Sequence, residues 1–346
     1  MDMIVHRANG AVTTRDFVRP RLTHEEYEAV MAMRGGMPRG GGVTLHGLAD
    51  RFGVGTAIGG DAPLAMASSP IGDMPVAHAA PYEHDIPEGD LRDNSPVVVT
   101  SERVGIISDV HAPYHDVRRD SNGRLYGAYI TALEAIKAAD VGTLIINGDF
   151  MDFYAISRHG KKESKRNLKW ELDVSRAMLK HLRDYFGAGV RIVYKEGNHE
   201  ARWGAYINDK AGDLDGMEDF ELPTVLRLAD HNIEWVGDKR QIWVGKLNVL
   251  HGHEFFGSGG MANPARNYRM KTNDNVLVGH VHKTSEDSAK RARGEFIAGW
   301  STGCLCDLTP SYATENQWNH GFAIVTQDAT GAFNVANRRI IDGRLV

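Results

Sequence analysis

In this chain of 346 residues, groups able to hold a hard metal ion recur at one kind of place: directly after short apolar runs. Asp109 and His111 follow Val104–Ser108, and Asp149 follows Thr143–Asn147. Asn198 and His199 come after Arg191–Tyr194, His251 after Leu247–Leu250, and His280 and His282 after Val276–Val278. In α/β proteins the loops at strand C-termini are where sites assemble. One histidine behind one strand is unremarkable; five strand ends in succession, each carrying such a residue, form a pattern. Taking Asn198 from its pair, two Asp, one Asn and four His make a mixed O/N donor set, suited to Mn, Fe or Zn rather than to Ca or soft-metal sites. Seven donors exceed what one ion needs. Two ions about 3.5–4 Å apart that share one carboxylate account for them economically. The competing reading is a set of unrelated buried and surface histidines.

The elements that must hold these residues are those of an α/β fold. Strand Val104–Ser108, a helix over Gly127–Ala139, strand Thr143–Asn147, a long amphipathic helix from Asn167 to Phe186 and strand Arg191–Tyr194 alternate. That alternation predicts a sheet with crossover helices. Beyond residue 231 shorter runs follow one another directly: Ile242–Val244, Leu247–Leu250, Val276–Val278, Phe296–Ala298 and Phe322–Val325. They predict a second, more antiparallel sheet. The expected architecture is a two-sheet β-sandwich flanked by helices, preceded by a small, partly helical N-terminal arm.

The arm is expected over residues 1–96 and the main domain over 97–346. Ten glycines lie between Gly35 and Gly60, and eight of the twelve prolines between Pro20 and Pro96. Such a stretch does not propagate helix or ladder for long. Leu22–Met31 has a helical pattern, and Thr44–Val54 resembles the first helix and turn of a helix-turn-helix, with no recognition helix after it. Hydrophobic residues at 42% and charged residues at 25% exclude a largely disordered or fibrous chain. No apolar run approaches the ~18 residues of a membrane span, so no membrane partner is expected. Met1–Arg7 lacks the apolar segment of a secretory signal. With only Cys304 and Cys306 present, one residue apart, a disulfide framework is excluded and the reducing cytoplasm is the expected compartment. A net charge of −5 is not that of a nucleic-acid coat.

Five blocks together resemble the signature of the calcineurin-like metallophosphoesterases: Asp109-Val110-His111, Gly148-Asp149-Phe150-Met151-Asp152, Gly197-Asn198-His199-Glu200, His251-Gly252-His253 and Gly279-His280-Val281-His282. Their wording is most similar to the phosphoesterases of bacteriophages and prophages, which would place the protein in a host cytoplasm. The resemblance implies that Asp109, His111, Asp149 and His282 hold one divalent metal. It implies that Asp149, as a bridge, holds a second with Asn198, His251 and His280. Mn²⁺ is the first expectation, with Fe, Zn, Ni or Mg as alternatives. A hydroxide between the metals would attack phosphorus, because two cations lower the pKa of bound water. His199 would protonate the leaving oxygen as general acid. Asp152 resembles the carboxylate that orients this histidine and keeps it protonated in phosphoprotein phosphatases; it equally reads as a first-turn helix carboxylate. His253 fits a place behind the ligands, or an alternative to His251.

The sequence departs from the phosphoprotein phosphatases at Phe153, where that branch has an arginine. Arg202 fits its second arginine and is a substrate-binding candidate, or a partner of Glu200. Arg158, His159, Lys161, Lys162, Lys165, Arg166 and Lys169 form a basic stretch behind the Gly-Asp block. Lys161 and Lys162 there are candidates for gripping phosphates, against the plainer reading of a solvated helix approach. Arg266, after Gly257–Gly260, is another candidate phosphate contact. Cys304 and Cys306 read as core. The expected activity is a dinuclear-metal phosphoester hydrolase acting on a phosphodiester, in DNA, RNA or a nucleotide. The alternatives are a phosphomonoesterase or protein phosphatase, and a nucleic-acid-binding protein with a vestigial core.

Overall fold

The computed structural model describes residues 91, 93–158, 167–255, 262–310 and 313–346. Residues 1–90 and 92 of the predicted arm, Lys161 and Lys162 lie outside these residues. In chain order come β1 (Val97–Val99), β2 (Arg103–Ile107), a short hairpin of β3 (Arg118–Arg119) and β4 (Leu125–Tyr126), α1 (Ala128–Ala138) and β5 (Thr143–Asn147). Then follow α2 (Leu168–Phe186), β6 (Arg191–Lys195), α3 (Ala201–Ala211), α4 (Leu222–Val225) and β7 (Ile233–Val236). The remainder is β8 (Ile242–Val244), β9 (Leu247–Leu250), α5 (Pro264–Thr272), β10 (Val276–Val278), β11 (Ser285–Lys290), β12 (Phe296–Ser301), β13 (His320–Gln327), β14 (Phe333–Ile341) and β15 (Arg344–Leu345).

Two mixed sheets result, as the alternation predicts. The larger runs β15-β14-β13-β2-β5-β6-β7, and the smaller β1-β8-β9-β10-β12-β11. Side chains alternate across each strand, so one sheet feeds two cores. Ile106, Ile145 and Val193 face the inter-sheet core with Val244, Val249 and Leu277. Their neighbours Ile107, Ile146 and Tyr194 join Leu133 and Ile136 of α1 and Leu179 and Leu182 of α2. Beyond the smaller sheet, Tyr268 of α5 meets Leu250, Val276 and Val278. Burial on both faces explains why Leu144–Ile146 of β5 and the whole of β10 are apolar. The α2 helix starts where Asn167 accepts the Trp170 N–H at 3.0 Å, an N-cap that satisfies one of its free donors.

Two expectations about the sheets are corrected. The smaller sheet is not mainly antiparallel: β1 with β8, β9 with β10 and β10 with β12 are parallel, whereas β8–β9 and β11–β12 are antiparallel. Phe322–Val325 belongs to the larger sheet, where β13 pairs antiparallel with β2. The strands β2, β5, β6 and β7 run parallel, and so do β9 and β10. Parallel neighbours present their C-terminal ends together, so the loops carrying the five motifs share one edge of the sandwich.

Candidate metal centre

At that edge the backbone itself is unusual. Asp109 (φ 55°), His111 (φ 50°), Asp149 (φ 50°), His280 (φ 67°) and His282 (φ 56°) all occupy the left-handed region. For residues other than glycine this costs of order 1–3 kcal/mol each and concentrates at functional sites. Gly148 (φ 83°) precedes Asp149; a Cβ there would lie 2.4 Å from His251 Nδ1, so only glycine lets β5 end against that imidazole. A Cβ on Gly197 would lie 2.3 Å from Asp149 Oδ1.

The side chains so placed converge. His111 Nε2 and His282 Nε2 are 3.0 Å apart, and His282 Nε2 is 3.2 Å from Asp109 Oδ1. His111 Nε2 also stands 3.9 Å from Asp149 Oδ2 and 4.0 Å from Asp109 Oδ1. On the other side of Asp149, His251 Nε2 is 3.3 Å from Asp149 Oδ2 and 3.2 Å from Asn198 Oδ1. Donor atoms of Asp109, His111 and Asp149 lie within 4.8 Å of one another, and those of Asp149, His251 and His280 do likewise. Asp149 belongs to both sets. All seven residues expected from the motifs therefore meet in one place.

The supporting hydrogen bonds orient lone pairs inward. His251 Nδ1–H donates to Asn147 O at 2.7 Å, which leaves Nε2 free to face Asp149 and Asn198. His111 Nδ1 contacts Asp152 Oδ2 at 3.2 Å, directing its Nε2 at His282 in the same way. Nitrogen and oxygen acceptors facing one another at about 3 Å repel unless positive charge lies between them. Among the described residues, His280 Nδ1 and His282 Nδ1 are buried without a hydrogen-bond partner. A divalent cation in each set would satisfy this chemistry, and the mixed O/N donors fit a hard or borderline ion. The protonation pattern shows the same demand for positive charge. Burial alone would raise Asp109, but His282, by charge and hydrogen bond, and His251 bring it down to about 2. Burial would lower His111 and His251, yet Asp152 and Asp149 raise His111 to about 9, and Asp149 raises His251 to about 10.

Asp152 differs from expectation. Its carboxylate contacts His111, and His199 Nδ1 is farther, at 3.8 Å. His199 instead donates from Nδ1 to the Asp152 carbonyl at 2.7 Å, while Arg202 Nη2 donates to His199 Nε2 at 2.9 Å. Burial first, with His111 and Arg202 adding, pushes His199 down to about 3 against the pull of Asp149 and Asp152. His199 thus stands with Nδ1 against a carbonyl and Nε2 against a guanidinium, and the Asp152 carboxylate is 3.8 Å from Nδ1. Arg202 also donates to Asp152 O at 2.8 Å and sits at the centre, with no ion pair to Glu200 among the described residues. Arg266 is exposed in the first turn of α5, and no hydrogen bond or ion pair joins it to the centre among the described residues. His253 packs tilted against His251 with ring centroids 5.3 Å apart.

Sequence reasoning overlooked the residues that brace the loops. Glu200, 1% exposed, accepts from Asp149 N (2.9 Å), Gly197 N (2.9 Å), Met151 N (3.1 Å) and Tyr194 Oη (2.7 Å). One carboxylate thus locks the Gly-Asp loop to the Gly-Asn-His loop. Lys195, fully buried, lies 3.1 Å from Glu254 Oε1, and Glu254 accepts from His251 N at 3.0 Å and Gly252 N at 2.6 Å. A lysine closing the apolar run Ile192–Tyr194 was the available signal, since buried lysine is almost always paired. Trp318 packs edge-on against His282 at 4.2 Å.

Comparison with known proteins adds the following. The family model described as calcineurin-like phosphoesterase matches residues 102–284. Among solved structures, a single mutant of Vps29 from Entamoeba histolytica is 12% identical, with 70% of this chain and 96% of that one covered and a TM-score of 0.35. The phosphoesterase Yfce from E. coli is 15% identical, with coverage of 70% and 96% and a TM-score of 0.33. A dimetal phosphatase from Danio rerio is 14% identical, with coverage of 72% and 99% and a TM-score of 0.34. No curated protein matches the chain.

Proposed function

The chain belongs to the calcineurin-like phosphoesterase family and is a metal-dependent phosphoesterase, and on that premise we propose that it hydrolyses phosphodiesters at a dinuclear centre. Asp109, His111, Asp149 and His282 would hold one ion; Asp149, Asn198, His251 and His280 would hold the other. The observation that carries this reading is the membership of Asp149 in both donor sets. When bound, two divalent cations supply an activated water and offset charge on the phosphoryl oxygens.

The chain's own groups divide the remaining work. Arg202 reaches the centre through the His199 and Asp152 contacts and is placed to hold a phosphoryl oxygen. While its guanidinium donates to His199 Nε2, that nitrogen carries no proton. Transfer of the guanidinium to substrate would free Nε2 to take up a proton and deliver it to the leaving oxygen, with Nδ1–H anchored on the Asp152 carbonyl. Phe153, where the phosphoprotein phosphatases have an arginine, is fully buried and faces Trp203 at 6.0 Å. One guanidinium suits a singly charged diester better than a monoester dianion, which favours a diester substrate.

The wording of the five motifs supports a phage- or prophage-type enzyme acting in a bacterial cytoplasm, with Mn²⁺ as its metal and DNA, RNA or a nucleotide as substrate. Residues 97–346 would form the catalytic domain and 1–96 an appended arm. Among the described residues no helix is long and apolar enough to cross a membrane. The test is a screen of bis(p-nitrophenyl) phosphate, p-nitrophenyl phosphate, single- and double-stranded DNA, RNA and cyclic nucleotides against Mn²⁺, Ni²⁺, Mg²⁺ and Zn²⁺. A higher kcat/KM on diesters supports the proposal; a clear preference for the monoester overturns its substrate class.

A further inference from the structure

The segment after β12 takes no part in the functions above, yet it runs against the centre. Leu305 N donates to Asp109 O at 3.0 Å, which ties this segment to the backbone of a proposed ligand. On either side, Cys304 N donates to Asn319 O at 3.0 Å and His320 Nε2 to Cys306 O at 2.8 Å. Held in this way, the two cysteines are free thiols and fully buried. They are not equivalent. Cys304 Sγ lies 3.7 Å from Asn319 O, a hydrogen bond to the backbone, and also meets the Cys306 thiol. Cys306 Sγ instead groups with a ring nitrogen of His111 and one of His282, all three within 4.8 Å of one another and all buried. His282 is 5% exposed.

We propose that Cys306 is a sulfur donor to the metal held by Asp109, His111 and His282. This rests on the dinuclear reading above and refines it. Bonds of about 2.0–2.1 Å to imidazole and about 2.3 Å to thiolate place such donors around one ion after small shifts from the observed spacing. Sulfur makes the two positions chemically unequal. The site with Cys306 favours Zn, Fe or Co, whereas the Asn198–His251–His280 site keeps only O and N donors and favours Mn or another harder ion. The native centre is then a mixed pair rather than two identical ions.

The experiment uses the full-length protein loaded with Co²⁺, whose visible d–d bands report occupancy and whose near-ultraviolet sulfur-to-cobalt charge-transfer band reports a thiolate ligand. Wild type and Cys304→Ser should both show the charge-transfer band. Cys306→Ser should lose it while retaining cobalt and the d–d bands. X-ray absorption on the Zn²⁺-loaded wild type should show a sulfur neighbour at about 2.3 Å. Because the wild-type spectra show whether sulfur binds and a band retained in Cys304→Ser assigns it to Cys306, a Cys306→Ser chain that fails to fold does not leave the question open, and a band lost in Cys304→Ser would overturn the assignment. Two cobalt ions bound without the charge-transfer band would overturn the role of Cys306 and leave the dinuclear reading standing. A chain that binds no cobalt would overturn both.

Discussion

Glu200→Gln is expected to loosen the centre while leaving every proposed ligand in the chain. In the wild type the two carboxylate oxygens divide four donors: Oε2 serves Asp149 N and Gly197 N, and Oε1 serves Met151 N and Tyr194 Oη. The amide substitutes an NH₂ for one of these oxygens. The better orientation puts it at the Oε1 position, because the Tyr194 hydroxyl can rotate to accept whereas the Met151 N–H cannot. One buried backbone donor is then left unpaired, at about 1–3 kcal/mol, and the surviving bonds fall from charge-assisted to neutral strength, about 1 kcal/mol less each. Partly offsetting this, burial and then the charge on Asp149 push the Glu200 carboxyl up, and the neutral amide relieves both. The net loss is about 2–4 kcal/mol, a large share of the ~5–15 kcal/mol that holds a domain folded. Urea denaturation with and without Mn²⁺ measures it, and metal titration should show affinity falling about 10–100-fold, as for other groups that orient ligands. A stability change below about 1 kcal/mol with unaltered metal affinity would refute the bracing role.

His199→Ala should keep its metals and lose on the order of 10²–10⁴ in rate, with a smaller loss for p-nitrophenol leaving groups, which need little protonation; equal losses on good and poor leaving groups would count against the acid. Glu171 is fully buried, and burial raises its carboxyl from 4.5 to about 7. A raised carboxyl contributes stability that is fully present below its ordinary value and lost as pH climbs through about 7, so Glu171→Gln should gain on wild type at about pH 8 relative to about pH 5. A difference independent of pH in denaturation curves would contradict this. If the substrate is a nucleic acid, replacing Lys161, Lys162, Lys165 and Arg166 with alanine should flatten the slope of log K against log salt by up to ~3 and spare small aryl diesters; an unchanged slope would move the binding surface elsewhere.

The proposed ligands were legible because each ends an apolar strand, and a short run followed by Asp, Asn or His marks a loop at a sheet edge without knowledge of the strand order. Strand partners were not legible. Phe322–Val325 is apolar enough for either sheet, and its pairing with β2 follows from tertiary contacts that the run does not encode. The strands β11 and β14 were missed because exposure on one face gives them polar residues, and β11 alternates intermediate and exposed along its length. Asp152 lies within reach of both His111 and His199, and the choice between them depends on fractions of an ångström. Glu200 was visible as the last letter of a motif, but its four bonds reach residues up to fifty-one positions away. Cys306 reads as a small core residue until the segment's contact with Asp109 is known.

The central claim is that two metal ions flank Asp149, and anomalous diffraction from crystals grown with Mn²⁺ tests it most directly. Two peaks are predicted about 3.5–4 Å apart on either side of the Asp149 carboxylate. One would lie against Asp109, His111 and His282, the other against Asn198, His251 and His280, and both should weaken or vanish in Asp149→Asn. A single peak, peaks away from Asp149, or two peaks that persist at full strength in Asp149→Asn would contradict the account.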